Sequence, residues 1–163
     1  MPSASIRAKK AGKKAWERHP RIGSKAIVSG DFGESLVAYL FRKEGIEVVR
    51  AKTVGFDLFA IDLTGDILPK NEIIGISVKA RITKSSPTIP VGSSKIQESM
   101  KTWKISAWIG IVASGGDESF VVFVFPFNEL RRLRGKSKRL DVVSVAELYK
   151  ASDSGRFRVK RLL

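Results

Sequence analysis

Asp57 and Lys79 are the residues in this 163-residue chain best placed to do chemistry. Asp57 sits among Phe56, Leu58 and Phe59, and Lys79 lies between Val78 and Ala80. A charge inside an apolar strand is costly unless it is paired or liganded. Two explanations fit. Either the pair neutralise each other as a structural ion pair, or they form the centre of a functional site. Ser77 lies two residues before Lys79, so on a strand both point to one face. Glu34 falls at the margin of an apolar helical stripe beside Ala38 and Phe41, where it can lean toward a sheet. Its plainer role is the third residue of a capping box opened by Asp31.

Composition narrows what such a site could be. Cysteine is absent, which removes disulfides, thiolate nucleophiles and cysteine–zinc sites together. The single histidine, His19, allows neither a histidine metal cluster nor a two-histidine acid–base pair. Any metal must therefore rest on oxygen ligands, which favours Mg²⁺ or Mn²⁺. Metal-assisted phosphodiester hydrolysis needs that arrangement: carboxylates gathered at one point and a cation favouring the attacking hydroxide.

Positioning these residues requires a helix, a hairpin and a following helix. The first helix is expected from Asp31 to about Glu44, with Leu36, Val37, Leu40 and Phe41 buried and Gly45 as its stop. Ile46–Arg50 reads as a short strand, and Phe56–Leu63 and Ile73–Arg81 as a hairpin around a turn at 64–71. Residues 85–90 read as a loop. Ser94 is expected to cap a helix to about Lys104, with Ile96, Met100 and Trp103 on one face and Glu98 turned away to solvent. Trp108–Ala113 and Phe120–Phe125 are expected strands, joined by a turn at 114–117. A short helix over Asn128–Leu133 and a second capping box, Ser144 with Glu147, opening a helix to about Lys150, complete the reading.

Charge is distributed unevenly. Residues 1–27 hold 8 Lys/Arg and 1 acid, residues 126–163 hold 11 and 4, and residues 28–125 hold 11 and 11. Both ends are thus +7 around a neutral middle, giving the net +14. A balanced core with two basic ends steers toward a polyanion, most commonly nucleic acid. Lys9, Lys10, Lys13 and Lys14 in the first segment, and Arg131, Arg132, Arg134, Lys136, Lys138 and Arg139 in the last, are candidate phosphate contacts. Arg81 and Lys84 extend the Lys79 face and join them. The organisation expected is a basic arm (1–27), an α/β core (28–125) and a basic extension (126–163). No apolar run approaches the ~20 residues of a membrane span, and the first residues lack a secretory signal. An intracellular, nucleoid-associated protein is expected.

Over residues 28–125 the chain resembles the PD-(D/E)XK nuclease superfamily, nearest the archaeal Holliday-junction resolvases and Mrr-like restriction enzymes. The resemblance is carried by Gly33-Glu34-Ser35-Leu36-Val37-Ala38-Tyr39-Leu40, Glu44-Gly45-Ile46-Glu47-Val48-Val49-Arg50, Gly55-Phe56-Asp57-Leu58 and Ile76-Ser77-Val78-Lys79-Ala80-Arg81, in that order. It implies a restriction-endonuclease-like α/β fold, a mixed five-stranded sheet flanked by helices. It also implies catalytic roles for Glu34, Asp57 and Lys79. Asp57 and the Val78 carbonyl would ligate Mg²⁺ or Mn²⁺, with Glu34 acting through water, and Lys79 would orient the attacking water. Phe56 stands where many members have proline. The departure that matters is Ser77, where the family has an acidic ligand. Either Glu98 from the next helix replaces it, or cleavage is weak or lost and the fold is kept for binding. The resemblance implies a homodimer acting on branched or structured DNA; the basic ends, taken alone, suit RNA as a partner as well.

Overall fold

The computed structural model describes the backbone of residues 20–29 and, complete with side chains, residues 30–51, 53–81, 88–114, 120–133, 141–155 and 160–162. The first helix, α1, spans Pro20–Lys43. It begins 11 residues before the expected Asp31 start, inside the segment read as an arm. Pro20 suits a first helical position, since its missing N–H would have no partner there. The Asp31 capping box does not exist. Asp31 is within the helix, and its carbonyl accepts the Ser35 hydroxyl at 2.7 Å. Val37, Ala38, Leu40 and Phe41 form the buried stripe. The helix ends as expected at Gly45 (φ 78°), where Gly45 N–H reaches the Arg42 carbonyl at 3.0 Å and Ile46 N–H reaches Phe41 at 2.9 Å.

Strands β1 (Glu47–Arg50), β2 (Leu58–Ile61) and β3 (Ile73–Arg81) follow, paired antiparallel. β3 has the bounds that its pattern predicts. A short strand β4 (Thr88–Pro90) lies in the segment read as a loop, and α2 (Ser93–Trp103) crosses over to β5 (Ser106–Ser114), parallel to β3. β6 (Phe120–Pro126) is antiparallel to β5. A 3-10 turn at Phe127–Glu129 and α3 (Leu130–Leu133) match the expected short helix. β7 (Val142–Ser144), α4 (Val145–Ser154) and β8 (Lys160–Arg161) complete the order.

Among the described residues the main sheet therefore has six strands, β1-β2-β3-β5-β6-β8, not five, because Lys160–Arg161 pairs with β6. β4 and β7 pair separately. Both faces of the sheet are covered. Val37, Phe41, Leu58, Ile76, Val78 and Val112 form the core against α1. Phe56, Ile96, Ile109, Ile111, Phe123 and Leu148 form the core against α2 and α4. Burial on both faces explains why β5 and β6 read as continuous apolar runs.

Two expected caps are corrected. Ser94 does not cap α2; Gly92 precedes the helix, and the Asp141 carboxylate accepts the Gly92 and Ser93 N–H groups at 3.1 and 2.6 Å. Ser144 occupies the cap position of α4, but its side chain makes no cap bond, and Glu147 pairs with Lys150 at 3.2 Å. That helix continues to Ser154, past the expected Lys150.

Candidate metal and nucleic-acid site

The site forms where β2 and β3 separate. Their ladder ends at the pair Leu58–Ile76, leaving the next amide of β3 without a strand partner on that side. Asp57 fills the gap. Its own N–H donates to the Ile76 carbonyl at 2.9 Å, its carbonyl accepts Ala51 N–H at 2.8 Å, and its carboxylate accepts Val78 N–H at 2.6 Å. Asp57 thus stands one residue before β2, tied to two strands. Phe56 fixes it from below: the ring is fully buried and lies over Gly75, where a Cβ would fall 2.6 Å from it. A phenylalanine at this position acts as an anchor.

Lys79 reaches back toward Asp57. Its ammonium donates to Ser77 Oγ at 2.9 Å and the Val78 carbonyl at 3.1 Å, and stands 3.8 Å from Asp57 Oδ2. Ser77 Oγ is 3.5 Å from the same carboxylate oxygen. The side chains of Lys79 and Asp57 remain 32% and 28% exposed. An ion pair so open to solvent contributes at most about 1 kcal/mol to stability. That is small beside the cost of drawing two charges partly out of water, so ion pairing alone is a poor account of their placement.

Glu34 enters from α1. Gly33 lets the helix approach β3 closely, since a Cβ there would fall 2.7 Å from the Ala80 Cβ. This contact carries Glu34 into the field of the strand pair. Burial raises the Glu34 carboxyl above the usual carboxylate range, and the Asp57 charge raises it further. Arg50 and Lys79 act in the opposite sense. The expected trio therefore shares one electrostatic neighbourhood.

A cleft of about 400 Å³ opens on Asp57, Ser77 and Lys79. Its other walls are Thr53–Gly55 from the loop before Asp57, Pro90–Gly92 after β4, and Lys95 and Ile96 of α2. Glu34 is not among its lining residues. Glu98 is exposed on α2 and, like Glu34, outside the lining. Arg81 is exposed at the end of β3, and Arg131 and Arg132 are exposed on α3. Lys9, Lys10, Lys13, Lys14, Lys84, Arg134, Lys136, Lys138 and Arg139 lie outside the described residues. Lys95 was not anticipated from sequence, although a lysine in the first turn of a helix is itself a signal.

Among the described residues no group of three or more His, Cys, Asp or Glu side chains is arranged to hold a metal. The donors present are the Asp57 and Glu34 carboxylates, the Ser77 hydroxyl and the Val78 carbonyl. All are hard oxygens, and the Asp57 charge adds to burial in raising the Glu34 carboxyl. Such a set suits one hard cation and is too poor in carboxylate for two.

Among solved structures, the chain is similar to Hjc, a Holliday junction resolvase from the hyperthermophilic archaeon Archaeoglobus fulgidus. The TM-score is 0.50 over 72% of this chain and 90% of that one, at 12% sequence identity. The likeness establishes the fold. It is the mixed α/β fold of that resolvase, with six strands in the main sheet and four helices among the described residues. No family model matches the chain, and no curated protein matches its sequence. Among the described residues no helix is long and apolar enough to cross a membrane.

Proposed function

We propose that the protein is a divalent-metal-dependent DNA endonuclease of the PD-(D/E)XK type, acting on branched or structured DNA as a homodimer. The observation that carries this reading is the convergence of Asp57 and Lys79, 3.8 Å apart, on an open cleft, with Glu34 within the electrostatic reach of both. The resolvase fold supports it, since the solved protein of that fold is a Holliday junction resolvase. The basic extensions supply the long-range attraction to phosphate. Symmetric cutting of two strands calls for two copies related by a two-fold axis.

Each residue has a chemical task in this reading. Val78 N–H donates to the Asp57 carboxylate and fixes its orientation at the cleft. Lys79, held by Ser77 and the Val78 carbonyl, presents a positive charge to a phosphate in the cleft and to the water that attacks it. Asp57, the Val78 carbonyl and Glu34 through water would hold Mg²⁺ or Mn²⁺. The ion, when bound, would neutralise the phosphate and lower the pKa of a coordinated water.

A second reading is favoured by Ser77. Its hydroxyl is a weak ligand where a carboxylate would be strong, and Lys79 already donates to it. The protein would then bind DNA with weak or no cleavage. Four-way junction, flap and linear DNA, incubated with Mg²⁺ or Mn²⁺ beside an Asp57→Ala control, separate the two. Metal-dependent nicking by the wild type, lost in the control, supports the nuclease. Its absence, with nicking restored by Ser77→Glu, identifies a decayed site on a binding protein.

A further inference from the structure

The cleft holds a second lysine that the proposed chemistry does not use. Lys95 lies in the first turn of α2 and lines the same cleft as Asp57, Ser77 and Lys79. Its backbone is locked to the loop that carries Asp57. The Ser99 hydroxyl donates to the Val54 carbonyl. Gly55, at φ 89°, sits so close that a Cβ there would fall 2.5 Å from the Lys95 carbonyl oxygen. From the other side, Asp141 clasps the residues before the helix: its carbonyl accepts Val91 N–H at 2.9 Å and its carboxylate accepts Gly92 and Ser93 N–H. Lys95 is therefore held at a fixed distance from Asp57 by contacts that owe nothing to its own side chain.

Its charge is at the wrong end of its helix. The first turn of α2 contains no acid, and a cation there opposes the helix dipole. Lys95 is exposed and takes part in none of the ion pairs among the described residues. Lys79, in contrast, has its ammonium engaged by Ser77 and Val78. The cleft thus presents one restrained cation next to Asp57 and, from α2, a second cation with no ion-pair partner among the described residues, and two cations lining one cleft offer separate contacts to a polyanionic strand.

We propose that Lys95 binds a backbone phosphate of the nucleic-acid strand, neighbouring the phosphate that Asp57 and Lys79 face. This rests on the nucleic-acid reading above and names the residue that sets where the strand lies. It is tested by binding of a fluorescently labelled four-way junction in EDTA, so that cleavage does not enter. Loss of one phosphate contact makes the dependence of log affinity on log salt shallower by about 0.9. The advantage of wild type over Lys95→Gln should therefore shrink about 3.5-fold between 50 and 200 mM salt. Lys95→Arg should keep the wild-type slope, and circular dichroism should show Lys95→Gln folded. A wild type that binds with a slope unchanged in Lys95→Gln overturns the proposal. A wild type that binds in EDTA but does not cut the junction once Mg²⁺ or Mn²⁺ is supplied overturns the nuclease reading alone, with Lys95 still decided by the slope. No binding at any salt overturns both.

Discussion

Replacing Gly33 with alanine tests the contact that brings Glu34 to the sheet. The new Cβ would fall 2.7 Å from the Ala80 Cβ, with Val78 and Val112 methyl groups at 3.6 and 3.7 Å. Carbon atoms pack at roughly 3.5–4 Å, so α1 and β3 must part by about 1 Å. Overpacking of this kind costs about 1–3 kcal/mol. The same substitution recovers up to about 1 kcal/mol of helix propensity, leaving a net loss of about 0–2 kcal/mol. Gly30 supplies the control: it lies on the same helix, and nothing stands within 4 Å of a Cβ there. Neither glycine has a positive φ, so alanine fits both backbones. Gly30→Ala should raise the melting temperature by about 2–4 °C, at the usual ~2–4 °C per kcal/mol for a chain of this size. Gly33→Ala should leave it unchanged or lower it by up to about 8 °C. Thermal unfolding followed by circular dichroism measures both. Equal stabilisation by the two alanines would refute the close approach, and with it the placement of Glu34.

Two further substitutions read out the electrostatics. Because burial and Asp57 raise the Glu34 carboxyl, the folded protein binds its proton more tightly than the unfolded chain. The associated stability is present below the ordinary glutamate range and is lost as pH rises through the raised value. Glu34→Gln should therefore melt higher than wild type at neutral pH without metal; a lower melting temperature would contradict the cause assigned. Asp62 is the opposite case. It is buried, and its carboxylate accepts the N–H groups of Gly65, Ile67 and Leu68 and the Thr64 hydroxyl, which hold it well below the usual range. Its contribution is present above the unfolded aspartate pKa and is lost as pH falls toward the depressed value. Asp62→Asn should be less stable than wild type at neutral pH, with the gap narrowing in acid; a gap independent of pH would contradict this.

How far the sequence discloses the fold depends on whether the cause is local. β3 is legible because an apolar run with charge at its end is a local pattern, and so is the end of α1, because Gly45 readily takes the left-handed turn that stops it. The start of α1 is not, since residues 20–30 carry too few apolar residues to show a helical stripe. The α2 cap comes from Asp141, 48 residues beyond Ser93, which no nearby residue signals. β8 is two residues long and depends on its neighbour β6. At the site, Asp57 and Lys79 stand out because charge in an apolar strand needs a reason. Glu34 is a weaker sequence signal, because the contact that positions it is made by the side-chain-free Gly33. Lys95 looks like an ordinary surface lysine until the loop around Gly55 is folded against its helix.

The account rests on Asp57 and Glu34 gathering a hard cation, and calorimetric titration with Mn²⁺ addresses that most directly. The wild type should bind about one ion per chain, as a donor set with two carboxylates allows, and Asp57→Ala should abolish the heat. Equal binding by wild type and Asp57→Ala, or no binding by the wild type, would contradict the site.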